Sequence, residues 1–438
     1  MTHHLLSFLG TGNYEPCKYQ FKGKSSSVVT YIQLAFLELL EELHSDKAKV
    51  SIFLTKKARE KHWESLPNYS YSHYGLAQYI QKQYPTLCIE AVDIPEGGSP
   101  EELWQIFSTI FECIQESETL YADITHSFRS LPMFGLVLLN YARMLKNIRV
   151  GGIYYGAFEA LGSPAQINAV PPEQRIAPVF DLTSVYSLME WNTAVNLFLQ
   201  AGRAEELAQI VRTQLKPILS DPGKRNLEAI GEQKLADMLK IVSMDLLTNR
   251  GQDLRKGETF FRLQKTFSDL QGKTLTLKPL EPLLKEVEKK FSRFQMNSIK
   301  NGYRGVEWCI QHGWIQQGIT QLQETIITHM LELLKEKSND REKRQMVSTL
   351  FDAKGNPLGN GKYQHCLEKD PSFTRRVFEH SFCKVAFKPY NQLRDPRNDI
   401  NHGGYVEQTS AQRFEQNLKE AFEELKNRYR EEYGEDLY

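Results

Sequence analysis

Along the first part of the chain, short apolar runs alternate with segments whose apolar positions recur at helical spacing. Residues 5–9, 50–54, 88–94, 120–124 and 150–155 are runs of strand length dominated by apolar residues. Between them, residues 28–43, 74–84, 103–114 and 131–145 carry the helical pattern. Ser99-Pro100-Glu101-Glu102 supplies the hydroxyl, proline and acidic residues of a helix start ahead of the 103–114 segment.

Strands alternating with helices of this length imply βαβ crossovers, hence a mostly parallel, Rossmann-like sheet covered on both faces. Ligands of such sheets sit outside the carboxyl ends of the strands. Three of those ends carry polar or glycine sequence: Gly10-Thr11-Gly12-Asn13, Thr55-Lys56-Lys57 and Thr125-His126-Ser127.

Residues 160–178 hold four prolines and little periodicity, which predicts a linker or a β-rich excursion ending in the apolar run Val179-Phe180-Asp181-Leu182. Beyond about residue 185 the pattern is helical almost throughout, over 185–198, 204–215, 227–247, 280–294, 306–334 and 411–428. Residues 355–362, with three glycines and a proline, predict a loop, and the charged stretch 335–344 before it a solvated helix end. The expected fold class is therefore an α/β Rossmann-like domain over 1–185 followed by an all-α domain over 186–438.

A chain of 438 residues suits two or three domains and excludes a single small binding module. Hydrophobic residues at 41% and charged residues at 25% leave enough apolar material for more than one core. Lys plus Arg number 54 and so do Asp plus Glu, so any nucleic-acid contact must come from a local basic cluster. No run reaches the roughly 18 apolar residues of a membrane span, and the start lacks the features of a leader, which sets the cytoplasm as the expected location with no membrane partner. The six cysteines lie far apart without a C-x-x-C pair, so neither a disulfide framework nor a zinc site is expected.

Three motifs carry candidate chemistry. Gly10-Thr11-Gly12 follows the first strand, but the third glycine of a dinucleotide fingerprint is replaced by Glu15, so the nicotinamide reading fails its own context. What remains is a glycine turn that lets backbone N–H groups approach an anion, or a tight turn chosen for its backbone angles alone. Asp123-Ile124-Thr125-His126-Ser127-Phe128-Arg129 places hydroxyls, an imidazole and a guanidinium between a strand and a helix start, where they can converge on phosphate or ribose. A capped helix start, with Thr125 or Ser127 as the cap, is the plainer alternative.

The third motif is Arg397-Asn398-Asp399-Ile400-Asn401-His402, followed by Gly403-Gly404. On a regular helix Arg397 and His402 are separated by about 140°, so they converge only if the helix ends between them. Asp395-Pro396 offers a start and the glycine pair a stop. An Arg with a His suits RNA phosphodiester cleavage, because the ribose 2′-OH is an internal nucleophile and the enzyme needs proton transfer and charge stabilisation but no metal. His402 would move the proton, Arg397 would hold the phosphate and its developing charge, and Asn398 could orient either. A helix-end histidine meeting the dipole is the alternative, and so loose a spacing recurs by chance. Glu324 and Gln321 lie on the 306–334 helix, where one of them could face the pair. His365 and His380 flank Arg375-Arg376 without the spacing of a metal cage, and Trp308 and Trp314 read as core.

Taken together these features resemble the CRISPR-associated CARF-HEPN ribonucleases of type III systems. The resemblance rests on Phe8-Leu9-Gly10-Thr11-Gly12, on Asp123-Ile124-Thr125-His126-Ser127-Phe128-Arg129 with Pro132, and on Arg397-Asn398-Asp399-Ile400-Asn401-His402, in this order and on either side of the switch from α/β to all-α. It implies a CARF sensor domain binding a cyclic oligoadenylate, cyclic tetra-adenylate or cyclic hexa-adenylate, across the axis of a homodimer or higher homo-oligomer. The ligand residues it implies are Gly10, Thr11, Gly12, Thr55, Thr125, His126, Ser127 and Arg129. It further implies paired HEPN domains in which Arg397, His402 and Asn398 of two subunits cut single-stranded RNA without a cofactor, leaving 2′,3′-cyclic phosphate ends, with the cyclic oligoadenylate as allosteric activator. The helical half is longer than such a motif requires, and residues 222–278 or 335–362 are candidate insertions.

Two other classes compete. A ligand-responsive protein whose helical half binds nucleic acid or a partner without chemistry predicts messenger-dependent binding and no cut product. A nucleotide-using metabolic enzyme is disfavoured by the missing third glycine and the lack of an acidic ribose ligand.

Overall fold

The computed structural model describes residues 2–64, 75–126, 131–221, 223, 225–354, 361–405 and 410–438. The chain clusters into two compact units, Met1–Met189 and Glu190–Tyr438.

In the first unit the strands are β1 (His3–Leu9), β2 (Lys18–Phe21), β3 (Lys24–Ser25), β4 (Ala48–Leu54), β5 (Cys88–Asp93), β6 (Thr119–Asp123), β7 (Arg149–Gly156) and β8 (Ile176–Asp181). They form one sheet in the order β3-β2-β8-β7-β6-β1-β4-β5. The five strands read from apolar runs form its parallel body, with β1 central, Leu5 opposite both Val50 and Tyr121. Successive residues of β1 point to opposite faces, so Leu5 and Leu9 enter one core and Leu6 the other. The first core is closed by the helices Ile32–Leu39 and Leu76–Gln83, the second by Pro100–Cys113 and Leu131–Lys146. Ser99 caps the third of these, its hydroxyl accepting from the Glu102 N–H, with Pro100 in the first turn.

The proline-rich 160–178 segment proves to be a return path that ends in β8, antiparallel to β7 and parallel to β2. The hairpin of β2 and β3 beyond it escaped the apolar pattern because these strands are short and half exposed. The segment read as one helix over 28–43 is helical only over Ile32–Leu39, followed by a 3-10 turn at Glu41–His44.

The second unit is all helical among its described residues. One core is built on the helices Thr183–Ala201, Glu205–Leu219, Leu227–Leu247, Glu258–Leu270 and Leu280–Phe291. A second is built on Lys300–Gln311, Ile315–Leu333, Arg341–Lys354, Ser381–Gln392 and Ala411–Tyr433. The expected single helix over 306–334 is broken. Gly313 takes a left-handed φ of +71°, ending one helix and letting Trp314 start the next at a new angle. Of the stretch 335–344, residues 335–340 link two helices and 341–344 form the first turn of Arg341–Lys354, while the 222–278 region packs its helices into the first core.

Candidate functional site

In the first unit the carboxyl ends of β1, β4 and β6 open on a cavity of about 310 Å³ lined by Gly10, Thr11, Gly12, Thr55, Thr125 and His126. Six of the eight expected ligand residues are thus brought together; Ser127 and Arg129 lie outside the described residues.

Neither Gly10 nor Gly12 takes a positive φ, so the turn was not selected for its backbone angles. Gly10 serves a close approach instead: a Cβ there would lie 3.3 Å from the His126 carbonyl oxygen and 3.4 Å from the Tyr14 hydroxyl. The Gly10 N–H donates to that hydroxyl at 2.8 Å, which pins the loop. Gly12 has open space around it, and its carbonyl accepts from His62 Nε2 at 2.7 Å. Lys61 Nζ donates to the Thr11 carbonyl at 2.8 Å. Lys61 and His62 come from an irregular helical turn, Arg59–Trp63, that follows β4.

Beneath the cavity the polar groups are tied up. Asp123 is fully buried, which pushes its carboxyl up, against the opposing hydrogen bonds of Ser7 Oγ at 2.6 Å and the Thr125 N–H at 2.9 Å. Thr125 Oγ1 accepts from the Gly156 N–H at 2.9 Å. Thr55 caps the short helix after β4 and is 3% exposed. The hydroxyls of Thr55 and Thr125 therefore shape the cavity, while Thr11 stands exposed at its rim.

His126 is the group with spare capacity. Its Nε2 is buried with no hydrogen-bond partner among the described residues, and its ring meets Tyr14 edge to face at 4.5 Å. Burial, aided by neighbouring His62, lowers its pKa to about 4, so it is a neutral imidazole with a free ring nitrogen at the wall of a polar cavity. Such a group can bond a ribose hydroxyl, a base edge or a phosphate.

A family described as CRISPR system endoribonuclease Csx1, CARF domain, matches residues 4–159, the stretch that carries this cavity. The chain contains a CARF domain. CRISPR-associated protein MJ1674 of Methanocaldococcus jannaschii is 22% identical over 97% of this chain, and the chain spans 66% of that protein's length. Among solved structures, Enterococcus italicus Csm6 bound to cyclic hexa-2'-fluoro-hexa-dAMP aligns with 99% of this chain and 94% of its own, at 12% identity and a TM-score of 0.46. The CARF domain is followed by the helical unit, and no described helix is long and apolar enough to cross a membrane.

In that unit the third motif is the helix Arg394–Asn401, anchored by buried Leu393 and Pro396. It starts at Arg394, beside the expected Asp395-Pro396, and ends where Gly403-Gly404 predicted: His402 is its C-terminal cap residue, and the glycines take φ of +63° and +73°. Arg397 reaches the Ile315–Leu333 helix, its Nη1 donating to Gln323 Oε1 at 3.3 Å and its Nη2 to Glu324 Oε1 at 3.1 Å. Of the two residues expected to face the motif, Glu324 does, whereas Gln321 donates to Thr325. Glu324 Oε2 also accepts from Arg344 Nη2 at 2.6 Å. His402 and Asn398 are exposed, the carbonyl of Asn398 accepting the His402 N–H at 2.9 Å. The arrangement offers a clamped guanidinium and a solvent-facing imidazole on either side of a helix end.

Proposed function

We propose that this protein is a metal-independent endoribonuclease of single-stranded RNA, switched on by a cyclic oligoadenylate in type III CRISPR antiviral defence. The observation that carries this reading is the pairing, on one short helix, of an arginine oriented by Gln323 and Glu324 with an exposed histidine at the helix's C-terminal cap. In this reading the second unit is a HEPN ribonuclease domain and the first is its sensor.

In the cleavage step the 2′-oxygen of the ribose bonds to phosphorus and the bond to the 5′-oxygen breaks. His402 accepts the 2′-OH proton, and the leaving oxygen gains one from the second His402 of a paired subunit. Arg397 offsets the charge on the phosphoryl oxygens, and Asn398 orients the reacting groups. The products are a 2′,3′-cyclic phosphate and a 5′-hydroxyl, and no cofactor is required. An unstacked strand is the substrate, since in-line attack needs a geometry that a duplex resists.

The CARF domain takes cyclic tetra-adenylate or cyclic hexa-adenylate at the strand-end cavity, with Thr11, His126 and the loop backbone as contacts. A two-fold axis suits a ring of repeating nucleotides. Support for a second copy comes from an exposed apolar face: Trp104 on Pro100–Cys113 and Val137, Tyr141, Met144 and Leu145 on Leu131–Lys146. A binding protein without catalysis is the second reading, favoured by the engagement of Arg397 with Glu324.

The test is cleavage of fluorescent single-stranded RNA in chelator by wild type and His402→Ala, with and without each cyclic oligoadenylate. Cutting by wild type alone, raised by one ring size, supports the proposal. Ligand-induced thermal stabilisation without any cut product transfers the case to the binding protein.

A further inference from the structure

The helical unit holds a basic cavity remote in sequence from Arg397 and His402. It measures about 510 Å³ and lies between the helices Leu280–Phe291 and Lys300–Gln311. Lys289, Lys290, Arg293 and Arg304 line it against the two carboxylates of Glu286 and Glu307. Four cations facing two anions leave an excess of positive charge in one recess.

Arg304 is the unusual member. It is 8% exposed, yet its Nη1 bonds to a neutral acceptor, Asn301 Oδ1, at 3.1 Å. Its Nε is buried without a partner among the described residues. Glu307, the carboxylate that attracts it, bonds instead to Arg293 at 3.3 Å. Burial and the charge of Arg293 both lower the pKa of Arg304, and burial does the same for Lys290, whose ammonium sits 5.2 Å from the Trp308 ring centroid. A buried guanidinium with an unused donor costs free energy that an anion would return. Arginine forks and clustered lysines match the several oxygens of a phosphate.

We propose that this cavity binds phosphate groups of the single-stranded RNA substrate through Arg304, Arg293 and Lys290, forming a strand-holding subsite apart from the cleavage site. The Lys300–Gln311 helix that carries Arg304 packs on Ile315–Leu333, the helix that clamps Arg397, so one strand can engage both. The naming of RNA as the bearer of the phosphate rests on the function proposed above.

The experiment uses the full chain with His402→Ala, so that RNA is bound and not consumed. Fluorescence anisotropy with a labelled single-stranded RNA is measured at several salt concentrations, adding Arg304→Gln or, at the partly buried Lys290 and the exposed Arg293, Lys290→Gln with Arg293→Gln. Both changes should weaken binding about 10-fold, and each lost phosphate contact should reduce the slope of log affinity against log salt by about 0.7. Unchanged affinity and slope in both variants overturn the proposal. Inorganic phosphate serves as the second probe: a thermal shift that the variants abolish, with RNA binding unaffected, assigns the cavity to free phosphate and also overturns it. Cleavage by the wild-type chain is scored separately. Arg304-dependent RNA binding without cutting removes the nuclease and keeps this subsite, whereas cutting with indifferent variants does the reverse.

Discussion

Nη2 of Arg397 donates to Oε1 of Glu324 at 3.1 Å, across two helices 73 positions apart in the chain. The same carboxylate takes Arg344 on its other oxygen, so Glu324 is held from behind while it holds Arg397 in front. Half-exposed ion pairs contribute little to stability, about 0.2–1 kcal/mol. Orientation of a group that must meet a phosphate counts for more. Glu324→Ala should therefore lower RNA cleavage about 10-fold with little change in Tm, and Glu324→Gln, which keeps an acceptor, should lower it less. Single-turnover rates beside thermal melts check both.

Arg397→Lys keeps the charge and loses the fork. A single ammonium cannot span Gln323 and Glu324 as the guanidinium does, so the rate should fall on the order of 100-fold while the fold persists. His402 is exposed, so His402→Ala should abolish cutting and leave both the melting temperature and the ligand-induced thermal shift of the CARF domain unchanged. A cleavage assay paired with differential scanning fluorimetry reads all of these.

Gly10 and Gly12 form an internal control. Alanine at Gly10 meets the His126 carbonyl and the Tyr14 hydroxyl at close range, whereas alanine at Gly12 meets nothing within 4 Å. Gly10→Ala should weaken cyclic oligoadenylate binding about 10-fold, a loss of roughly 1.4 kcal/mol, and Gly12→Ala should leave it within two-fold. Calorimetric titration of the two variants separates loop packing from mere glycine content.

His126 is neutral in the folded protein down to a pKa of about 4, whereas the unfolded chain protonates it near 6.5. Between these values the unfolded state binds the extra proton. The contribution is complete above about pH 6.5 and is lost as pH falls toward 4, at up to about 1.4 kcal/mol per pH unit. His126→Gln should flatten that part of the stability curve. Urea melts at pH 4.5, 5.5 and 7 provide the comparison, and a difference between wild type and variant that does not change with pH contradicts the assignment.

The apolar face of Trp104, Tyr141 and Met144 is continuous, Trp104 touching Phe107 at 5.7 Å between ring centroids and Phe107 touching Tyr141 at 5.6 Å. Replacing Trp104 and Met144 together by Glu should convert a dimer to a monomer in sedimentation velocity. The sheet should survive, because both side chains are more than half exposed.

The parallel body of the sheet was legible because its strands are largely apolar runs bounded by turn chemistry, and burial on both faces writes that signal strongly in β1, β4 and β6, though less so in the edge strand β5. β2 and β3 were not, since their residues are few and partly solvated. The break at Gly313 hid inside an apolar pattern that continues in phase on both sides, and only the left-handed backbone reveals it. Of the strand-end site, the Gly10, Thr11, Thr55, Thr125 and His126 positions followed from topology alone. Lys61, His62 and Tyr14 did not, because they act on backbone carbonyls and on Gly10 from an irregular turn and a loop, where no periodicity points to them. The end of the Arg394–Asn401 helix was readable from its glycines, whereas the choice between Gln321 and Glu324 needed the packing of two helices.

Asp123 joins three strands through two short links, Ser7 on β1 and, by way of Thr125, Gly156 on β7. A lock of this kind makes the floor of the cavity stiff. Thr125, next to His126, is bonded on both sides, to Asp123 of its own strand and to Gly156 of β7, so displacing it breaks bonds to two strands. Three strands thus share one polar anchor, and the wall that carries His126 is fixed to the sheet and not to a separate loop.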